Sequence, residues 1–160
     1  MRGLFYFATG ILVGLAVQAA TSQSPNRGIV GLNHVGISVP NLEQAVTYYT
    51  KTMGFPEAFR NFDEKGKPTL VYVQISQNTF LELQPASADR APGISHFGVV
   101  VDNMRAATAM FKQRGASVAE IRESGTKAIL SNIADPNGVR MELLELPPDS
   151  LHRKAMDRWK

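Results

Sequence analysis

Two stretches of this sequence decide its fold: NHVGISVPNLEQAVTYYTK at residues 33–51 and SHFGVVVDNMRAATAMFKQ at residues 95–113. Aligned on their histidines, they share several identical residues at equal spacing. The identical pairs are His34 and His96, Gly36 and Gly98, Val39 and Val101, Asn41 and Asn103, and Ala45 and Ala107. A repeat of about 60 residues indicates one supersecondary unit that is used twice.

Each copy of the repeat opens as a strand and continues as a helix. The residues around each histidine are rich in β-branched side chains, which favour strands. Apolar residues then recur at helical spacing after Pro40-Asn41 and after Asp102-Asn103, where an asparagine or aspartate oxygen can cap the helix. Both helices are expected to end at a glycine, Gly54 or Gly115, because glycine accepts the left-handed conformation of a C-terminal cap.

Eight strands are predicted in all, four in each copy, in the order strand, helix and three more strands. They lie near residues 32–39, 56–62, 69–76, 79–84, 94–101, 117–121, 127–133 and 139–146. We therefore predict one α+β domain, residues 29–147, built from two βαβββ modules at residues 29–85 and 94–147. The sheets of the two modules are expected to face one another across a cleft.

Four residues in equivalent places of the two modules are candidate metal ligands. Strand alternation puts His34 on one face with Gly36 and Ser38. It likewise puts His96 on one face with Gly98 and Val100. Glu82 and Glu142 stand among apolar neighbours in the last strand of each module. A carboxylate is costly to bury there unless it is paired or bound to a cation. Because a pseudo-twofold axis relates duplicated units, the two histidine–glutamate pairs can converge on one point.

The composition limits the kind of metal and the kind of partner. The chain has no cysteine, which excludes disulfides, a cysteine nucleophile and thiolate metal sites. Two imidazoles and two carboxylates suit Zn, Ni, Mn, Co or Fe(II). The formal charge of +3 is small and the basic residues are scattered, so the expected partner is a small-molecule substrate and not a nucleic acid.

In four segments the chain resembles the glyoxalase/bleomycin resistance protein/dioxygenase group, the vicinal oxygen chelate superfamily. These segments are LNHVGISVPNLEQAVTYYTKTMGF, FLELQP, ISHFGVVVDNM and DPNGVRMELLEL. The resemblance covers residues 30–147 and implies paired βαβββ modules around a metal-binding cleft. By position it implies that the metal ligands are His34, Glu82, His96 and Glu142. This set of two histidines and two glutamates is most similar to that of glyoxalase I-like members.

The resemblance implies a reaction as well as a site. It implies a divalent-metal-dependent lyase or isomerase of glyoxalase I type, with proton transfer on a small α-oxygenated substrate through an enediolate. Glu142 is the first choice as the base, and Glu82 is its opposite partner. One alternative is a ring-cleaving Fe(II) dioxygenase, against which Glu82 argues because those members use three ligands. The other is a non-enzymatic small-molecule binding or resistance protein on the same fold.

Residues that bind the substrate are marked less clearly than the ligands. Arginines do not cluster along the chain, and Arg60 and Arg140 are the candidates for holding an anionic substrate. Arg140 shares strand parity with Glu142, which favours a position near the site. Tyr72, Phe59 and Phe97 are candidates for the wall of the cleft.

The two ends of the chain lie outside the modules. Residues 1–20 have a positive start, an apolar core and a small-residue exit, followed by a linker at residues 21–28. This layout predicts a signal peptide and an exported protein, periplasmic or secreted, with an uncleaved N-terminal membrane anchor as the alternative. Residues 148–160 predict a C-terminal helix that packs on its own domain or on the mate in a homodimer, with contact to a membrane surface as the alternative. His152 lies in this tail and is not counted among the ligands.

Overall fold

The computed structural model describes residues 28–160 of the chain. The predicted signal peptide or anchor at residues 1–20 lies outside this range, so export stays a prediction. Within residues 28–160, no helix is both long enough and apolar enough to cross a membrane.

Eight strands and three α-helices occur in residues 28–160, in the predicted order. The strands are β1 Ile29–Val39, β2 Glu57–Phe62, β3 Pro68–Ser76, β4 Thr79–Pro85, β5 Gly93–Val101, β6 Arg122–Glu123, β7 Ile129–Ala134 and β8 Arg140–Glu145. The helices are α1 Leu42–Thr47, continued by a π-helical segment Tyr48–Thr52, α2 Met104–Gln113 and α3 Leu151–Arg158. The order β1-α1-β2-β3-β4 recurs as β5-α2-β6-β7-β8, which confirms an α+β fold of two βαβββ modules.

The strands form one mixed sheet and not two separate ones. Its order is β2-β3-β4-β1-β5-β8-β7-β6, and the modules join through the antiparallel pair β1 and β5. On either side of this pair, β1 runs parallel to β4 and β5 runs parallel to β8. The two sheets expected to face each other are therefore the halves of one half-barrel. The opening strand of each module therefore has a neighbouring strand on both sides, and neither of its edges is unpaired.

The two module helices have the predicted caps. The side chain of each capping asparagine accepts a hydrogen bond from the backbone amide three residues on, at 3.0 Å for Asn41 and 2.9 Å for Asn103. The glycines beyond the helix ends have left-handed backbones, with φ of 74° at Gly54 and 88° at Gly115. Local capping chemistry thus sets both ends of each helical segment.

The first helix departs from the prediction in its second half, where Tyr48–Thr52 is π-helical. The Thr50 hydroxyl donates to the Val46 carbonyl at 2.8 Å, so it competes for the acceptor that the Thr50 amide uses in a regular α-helix. The corresponding residue of α2, Lys112, has no hydroxyl, and α2 remains α-helical to its end.

One predicted strand is nearly absent from the second module. In place of a strand at residues 117–121, the structure has a single bridge between Val118 and Ile133 and the two-residue β6. The Ser131 hydroxyl donates to the Ala119 carbonyl at 2.8 Å. A side chain therefore takes the acceptor that a longer ladder would use, and the prediction for this strand is wrong.

Two apolar clusters lie between the helices and the outer face of the sheet. They consist of Leu42, Val46, Val71, Val73 and Leu83 in the first module and Val101, Met104, Ala107, Ile133 and Leu143 in the second. Their strand members alternate with Tyr72, Glu82 and Glu142. Burial of the clusters therefore turns these three polar side chains to the inner face.

The C-terminal helix α3 forms where it was predicted and contacts both modules. The Leu151 amide donates to the Thr126 carbonyl of the second module at 2.9 Å. Gln74 on β3 of the first module donates to the Ala155 carbonyl at 3.5 Å. The helix thus packs on its own chain, the first of the three arrangements considered for the tail.

Candidate metal centre

The pairing of β1 with β5 sets each histidine opposite a glycine. His34 is in register with Gly98, and His96 is in register with Gly36. Each imidazole extends across the neighbouring strand: a Cβ on Gly36 would lie 2.1 Å from His96 Cε1, and one on Gly98 would lie 2.2 Å from His34 Cε1. Only glycine at these two positions leaves room for the imidazoles where they stand.

The parallel pairings bring the glutamates to the same two cross-strand rows. Glu82 on β4 is in register with Gly36, and Glu142 on β8 is in register with Gly98. Each glutamate therefore faces the histidine of the other module across the gap left by a glycine. The two rows read Glu82, Gly36 and His96, and His34, Gly98 and Glu142.

The four predicted ligands converge. The Nε2 atoms of His34 and His96 are 3.1 Å apart. Glu82 Oε2 lies 3.4 Å from His34 Nε2 and 3.6 Å from His96 Nε2. Glu142 Oε2 lies 3.6 Å from His34 Nε2 and 3.8 Å from His96 Nε2. All four ligand atoms lie within 4.8 Å of one another, and all four residues are buried.

This arrangement fits a divalent metal ion. Ligand atoms that surround an ion tetrahedrally at about 2.1 Å are roughly 3.4 Å from one another, close to the separations found here. With no cation between them, two carboxylates would be buried against two imidazole nitrogens, which is an unfavourable arrangement. Two nitrogens and two oxygens suit the predicted Zn, Ni, Mn, Co or Fe(II), and they do not select one of these ions.

Side chains next to the histidines orient the two imidazoles. Asn33 Oδ1 lies 3.0 Å from His34 Nδ1, and Ser95 Oγ lies 2.9 Å from His96 Nδ1. Asn33 Oδ1 can only accept, so it keeps the His34 proton on Nδ1 and leaves the Nε2 lone pair facing the cluster. Burial lowers the pKa of His34 to about 4, against an opposing effect of Glu82, so this imidazole is neutral at pH 7.

Tyr72 and Arg140 each hold one glutamate. The Tyr72 hydroxyl donates to Glu82 Oε2, and Arg140 Nη1 donates to Glu142 Oε1 at 2.5 Å. Burial alone would raise the pKa of Glu82, but hydrogen bonding to His96, the nearby imidazoles and Tyr72 together lower this pKa to about 2. Burial raises the pKa of Tyr72 well above its ordinary value, so its hydroxyl stays protonated as a donor.

The cluster opens into a cavity of about 840 Å³. Tyr72, Glu82, Arg140 and Glu142 line this cavity, so four of the predicted site residues share it. Many of its other lining residues carry hydroxyl, amide or guanidinium groups, which suits a polar ligand.

Three arginines that are far apart in the sequence line the cavity: Arg90, Arg122 and Arg140. Arg90 donates from Nη2 to the Pro85 carbonyl at 2.7 Å, and its buried Nε has no partner within residues 28–160. Arg122 is exposed and forms no ion pair in the same part of the chain. Strand pairing thus brings to one cavity three arginines that do not cluster along the sequence.

Arg60, the other predicted anion-binding residue, lies away from the cavity. It is in register with Val71 of the outer face. Its Nη2 lies 2.5 Å from a Glu57 oxygen, and its Nη1 lies 3.0 Å from Glu43 on α1. Because α1 covers the outer face, the side chain points away from the cluster, and its position does not support the predicted role in substrate binding.

Sequence reasoning overlooked three kinds of residue at this site. Gly36 and Gly98 were visible as identical positions of the repeat, and their role could have been inferred from strand pairing. The residues that orient the imidazoles immediately precede the histidines, but Asn33 and Ser95 differ in type. His152 is not among the predicted ligands, yet it lines the cavity and its ring centre lies 4.6 Å from that of Tyr72. Nothing in the tail signals this, because it depends on how α3 docks.

Known proteins provide an independent comparison. A family model described as the Glyoxalase/Bleomycin resistance protein/Dioxygenase superfamily matches residues 31–143. A mitochondrial methylmalonyl-CoA epimerase of Bos taurus is 27% identical, over 78% of this chain and 82% of its own. A lactoylglutathione lyase of Salmonella typhimurium is 26% identical, over 71% of this chain and 91% of its own. The crystal structure of methylmalonyl-CoA epimerase from Mycobacterium tuberculosis shares the fold, with a TM-score of 0.68 at 21% identity, over 81% of this chain and 96% of its own.

Proposed function

Because the chain belongs to the glyoxalase/bleomycin resistance protein/dioxygenase superfamily, we propose that it is a divalent-metal-dependent lyase or isomerase of glyoxalase I type. Its reaction would move a proton at a carbon next to a carbonyl in a small α-oxygenated substrate. One observation carries this proposal: two imidazole nitrogens and two carboxylate oxygens converge within 4.8 Å at the wall of a cavity. Relatives named as an epimerase and as a lyase support this class of chemistry.

The residues that would hold the ion are His34, Glu82, His96 and Glu142. A divalent ion bound there would polarise a substrate oxygen and would stabilise the negative charge that develops as the neighbouring carbon loses a proton. Glu82 supplies the fourth ligand, which favours this chemistry over ring cleavage at a three-ligand Fe(II) site.

Glu142 is proposed as the base. Its Oε1 is held by Arg140, while its Oε2 faces the cluster and accepts no hydrogen bond from the described residues. Glu82 Oε2, by contrast, accepts a hydrogen bond from Tyr72. A base needs a free lone pair within reach of the substrate, so Glu142 is better placed to take the proton and Glu82 is its opposite partner.

The surroundings of the cluster differ between the two modules. In the first module, Tyr72 is in register with Glu82, and Phe80 is in register with His34. At the equivalent positions of the second module, Asn132 is in register with Glu142, and Arg140 is in register with His96. One flank is therefore aromatic and the other is polar and cationic. We propose that a polar or anionic end of the substrate lies towards Arg140, in the cavity that Arg90 and Arg122 also line.

Solvent-proton exchange tests this function. The full chain, loaded with Zn, Ni or Mn, is incubated in D₂O with α-oxygenated carbonyl compounds, among them the methylmalonyl-CoA and lactoylglutathione in the relatives' names. Nuclear magnetic resonance follows deuterium entering the α-carbon. Glu142→Gln should slow exchange by about 10²–10⁴-fold, because an amide cannot take the proton.

The matched control is Glu43→Gln, an exposed residue of α1 that should leave exchange unchanged. If the chain binds none of the three metals, or exchanges no substrate with them, the proposed function fails. Exchange at the wild-type rate in Glu142→Gln would transfer the role of base to another group.

A further inference from the structure

Helix α3 carries a buried histidine with no hydrogen-bond partner in the described part of the chain. His152 is 1% exposed, and neither Nδ1 nor Nε2 has a partner within residues 28–160. Buried polar groups in folded proteins are nearly always hydrogen-bonded, because losing water without gaining a bond is unfavourable. Two unpaired nitrogens on one buried ring therefore require an explanation.

The environment of His152 leaves the cavity as the direction from which a partner can come. The residue lines the cavity that also contains Glu82 and Glu142. Aromatic rings surround it on other sides, with Tyr72 centred 4.6 Å away and Phe59 4.9 Å away, both edge-on. The Tyr72 hydroxyl donates to Glu82, and neither it nor any other group within residues 28–160 is hydrogen-bonded to the imidazole.

The helix does not depend on the imidazole for its position. The Ser150 hydroxyl caps α3 by accepting from the Arg153 amide at 3.3 Å, and the backbone of Leu151 is bonded to the second module. Ala155 packs with Tyr72 and Phe80 on the first module. An apolar side chain at position 152 would serve this packing equally well and would leave no nitrogen unpaired.

We propose that His152 is a substrate-binding residue that forms a hydrogen bond to a substrate oxygen that is not among those held at the metal cluster. This inference rests on the proposed function, which places the substrate in the same cavity. The ligand class is a small hydroxy or oxo acid with a third oxygen-bearing group, and one ring nitrogen must face the cavity when it is bound.

The chemistry of the ring suits such a ligand. Burial lowers the pKa of His152 to about 3, so at pH 7 the imidazole is neutral and carries one N–H donor and one lone pair. The nitrogen that faces the cavity can therefore donate to a carboxylate oxygen, or it can either donate to or accept from a hydroxyl, according to the tautomer. A hydrogen bond to His152, in addition to the contacts at the metal cluster, would determine which end of a substrate lies beside Tyr72.

Thermal unfolding of the metal-free full chain is the first test. His152→Leu and His152→Phe are similar to or larger than imidazole in volume and remove both unpaired nitrogens. At least one of them should raise the unfolding midpoint by about 3 °C, because the wild type buries polar atoms without partners. If both variants lower the midpoint, the imidazole is structural and the inference is overturned.

Calorimetric titration of the Zn²⁺-loaded full chain is the second test. Tartronate has a hydroxyl and a carboxylate for the ion and a second carboxylate to spare, whereas glycolate lacks the second carboxylate. The apolar variants should bind tartronate about tenfold more weakly than wild type and bind glycolate within about twofold of wild type. His152→Gln, which keeps a donor and an acceptor, should retain most of the tartronate affinity.

The control is Met156→Leu, a swap of similar volume on the same helix, at a residue outside the cavity that contains His152. It should leave both affinities unchanged. Equal tartronate affinity in the wild type and the apolar variants overturns the inference, and so does a wild type that does not bind tartronate. Zinc binding is measured separately, so a failure of the metal centre is distinguished from a failure at His152.

Discussion

Gly36 and Gly98 determine the metal centre although neither residue offers a ligand atom. Each lies in register with a histidine of the other module, so the missing side chain is the space that the imidazole occupies. At the scale of the residue, the site depends on two absent Cβ atoms as much as on the imidazoles and carboxylates.

Gly98→Ala should weaken zinc binding by about 10–100-fold, the range found when a group that orients a ligand is disturbed. The added Cβ would lie 2.2 Å from His34 Cε1 and would push the ring out of the cluster. Calorimetric titration of the full chain with zinc measures the effect. Gly31→Ala on the same sheet, where a Cβ meets no atom of residues 28–160 within 4 Å, is the matched control. Unchanged affinity in Gly98→Ala would remove His34 from the proposed ligand set.

The buried imidazoles also predict how stability depends on pH in the metal-free chain. Burial lowers the pKa of His34 from 6.5 to about 4, so between these values the unfolded chain binds a proton that the folded chain does not. Stability should therefore fall as the pH drops from 6.5 to 4, by roughly 3 kcal/mol for this residue. Glu82, whose pKa is lowered, adds a loss only below about pH 4.5.

Urea unfolding in the presence of a chelator at pH 7, 5.5 and 4.5 measures this slope. His152→Leu should make the slope shallower, because the pKa of His152 is also lowered by burial, to about 3. A free energy of unfolding that is constant from pH 7 to 4.5 would contradict the burial of neutral imidazoles in the folded chain.

At the scale of the element, local chemistry accounts for most of the helices and less of the strands. The capping asparagines and terminal glycines were recognised because both act within a few residues of sequence. The missing strand at residues 117–121 was not foreseen, because a hydroxyl from β7 bonds to the Ala119 carbonyl across the sheet. The docking of α3 across both modules was equally invisible in the sequence of the tail.

Asn103→Ala should lower the free energy of unfolding by about 1 kcal/mol, while Asn103→Gly should lower it by only a few tenths. The Asn103 side chain accepts a hydrogen bond from the Ala106 amide at 2.9 Å, and alanine offers neither this bond nor the backbone freedom of glycine. Urea unfolding of the full chain measures both values. A smaller loss for alanine than for glycine would contradict the capping role.

At the scale of the whole molecule, a nearly symmetric cluster lies in an asymmetric cavity. The two modules contribute the same ligand types, but aromatic side chains flank one half while Asn132 and Arg140 flank the other. Duplication explains the convergence of the ligands, and the divergence of the flanks gives a substrate two distinguishable ends. The Glu142→Gln exchange experiment and the tartronate titrations examine the centre and one of its flanks separately.

The sequence by itself determined the two modules, their order of strands and helices and the four residues that converge at the centre. These follow from periodicity, capping and repetition, which act over short distances or recur at a fixed spacing. Only the tertiary structure decided that the modules share one sheet, that three arginines gather in the cavity, that Arg60 faces away and that His152 reaches the cavity wall. These depend on the register between distant strands and on the docking of α3, where contacts between remote segments outweigh local preference.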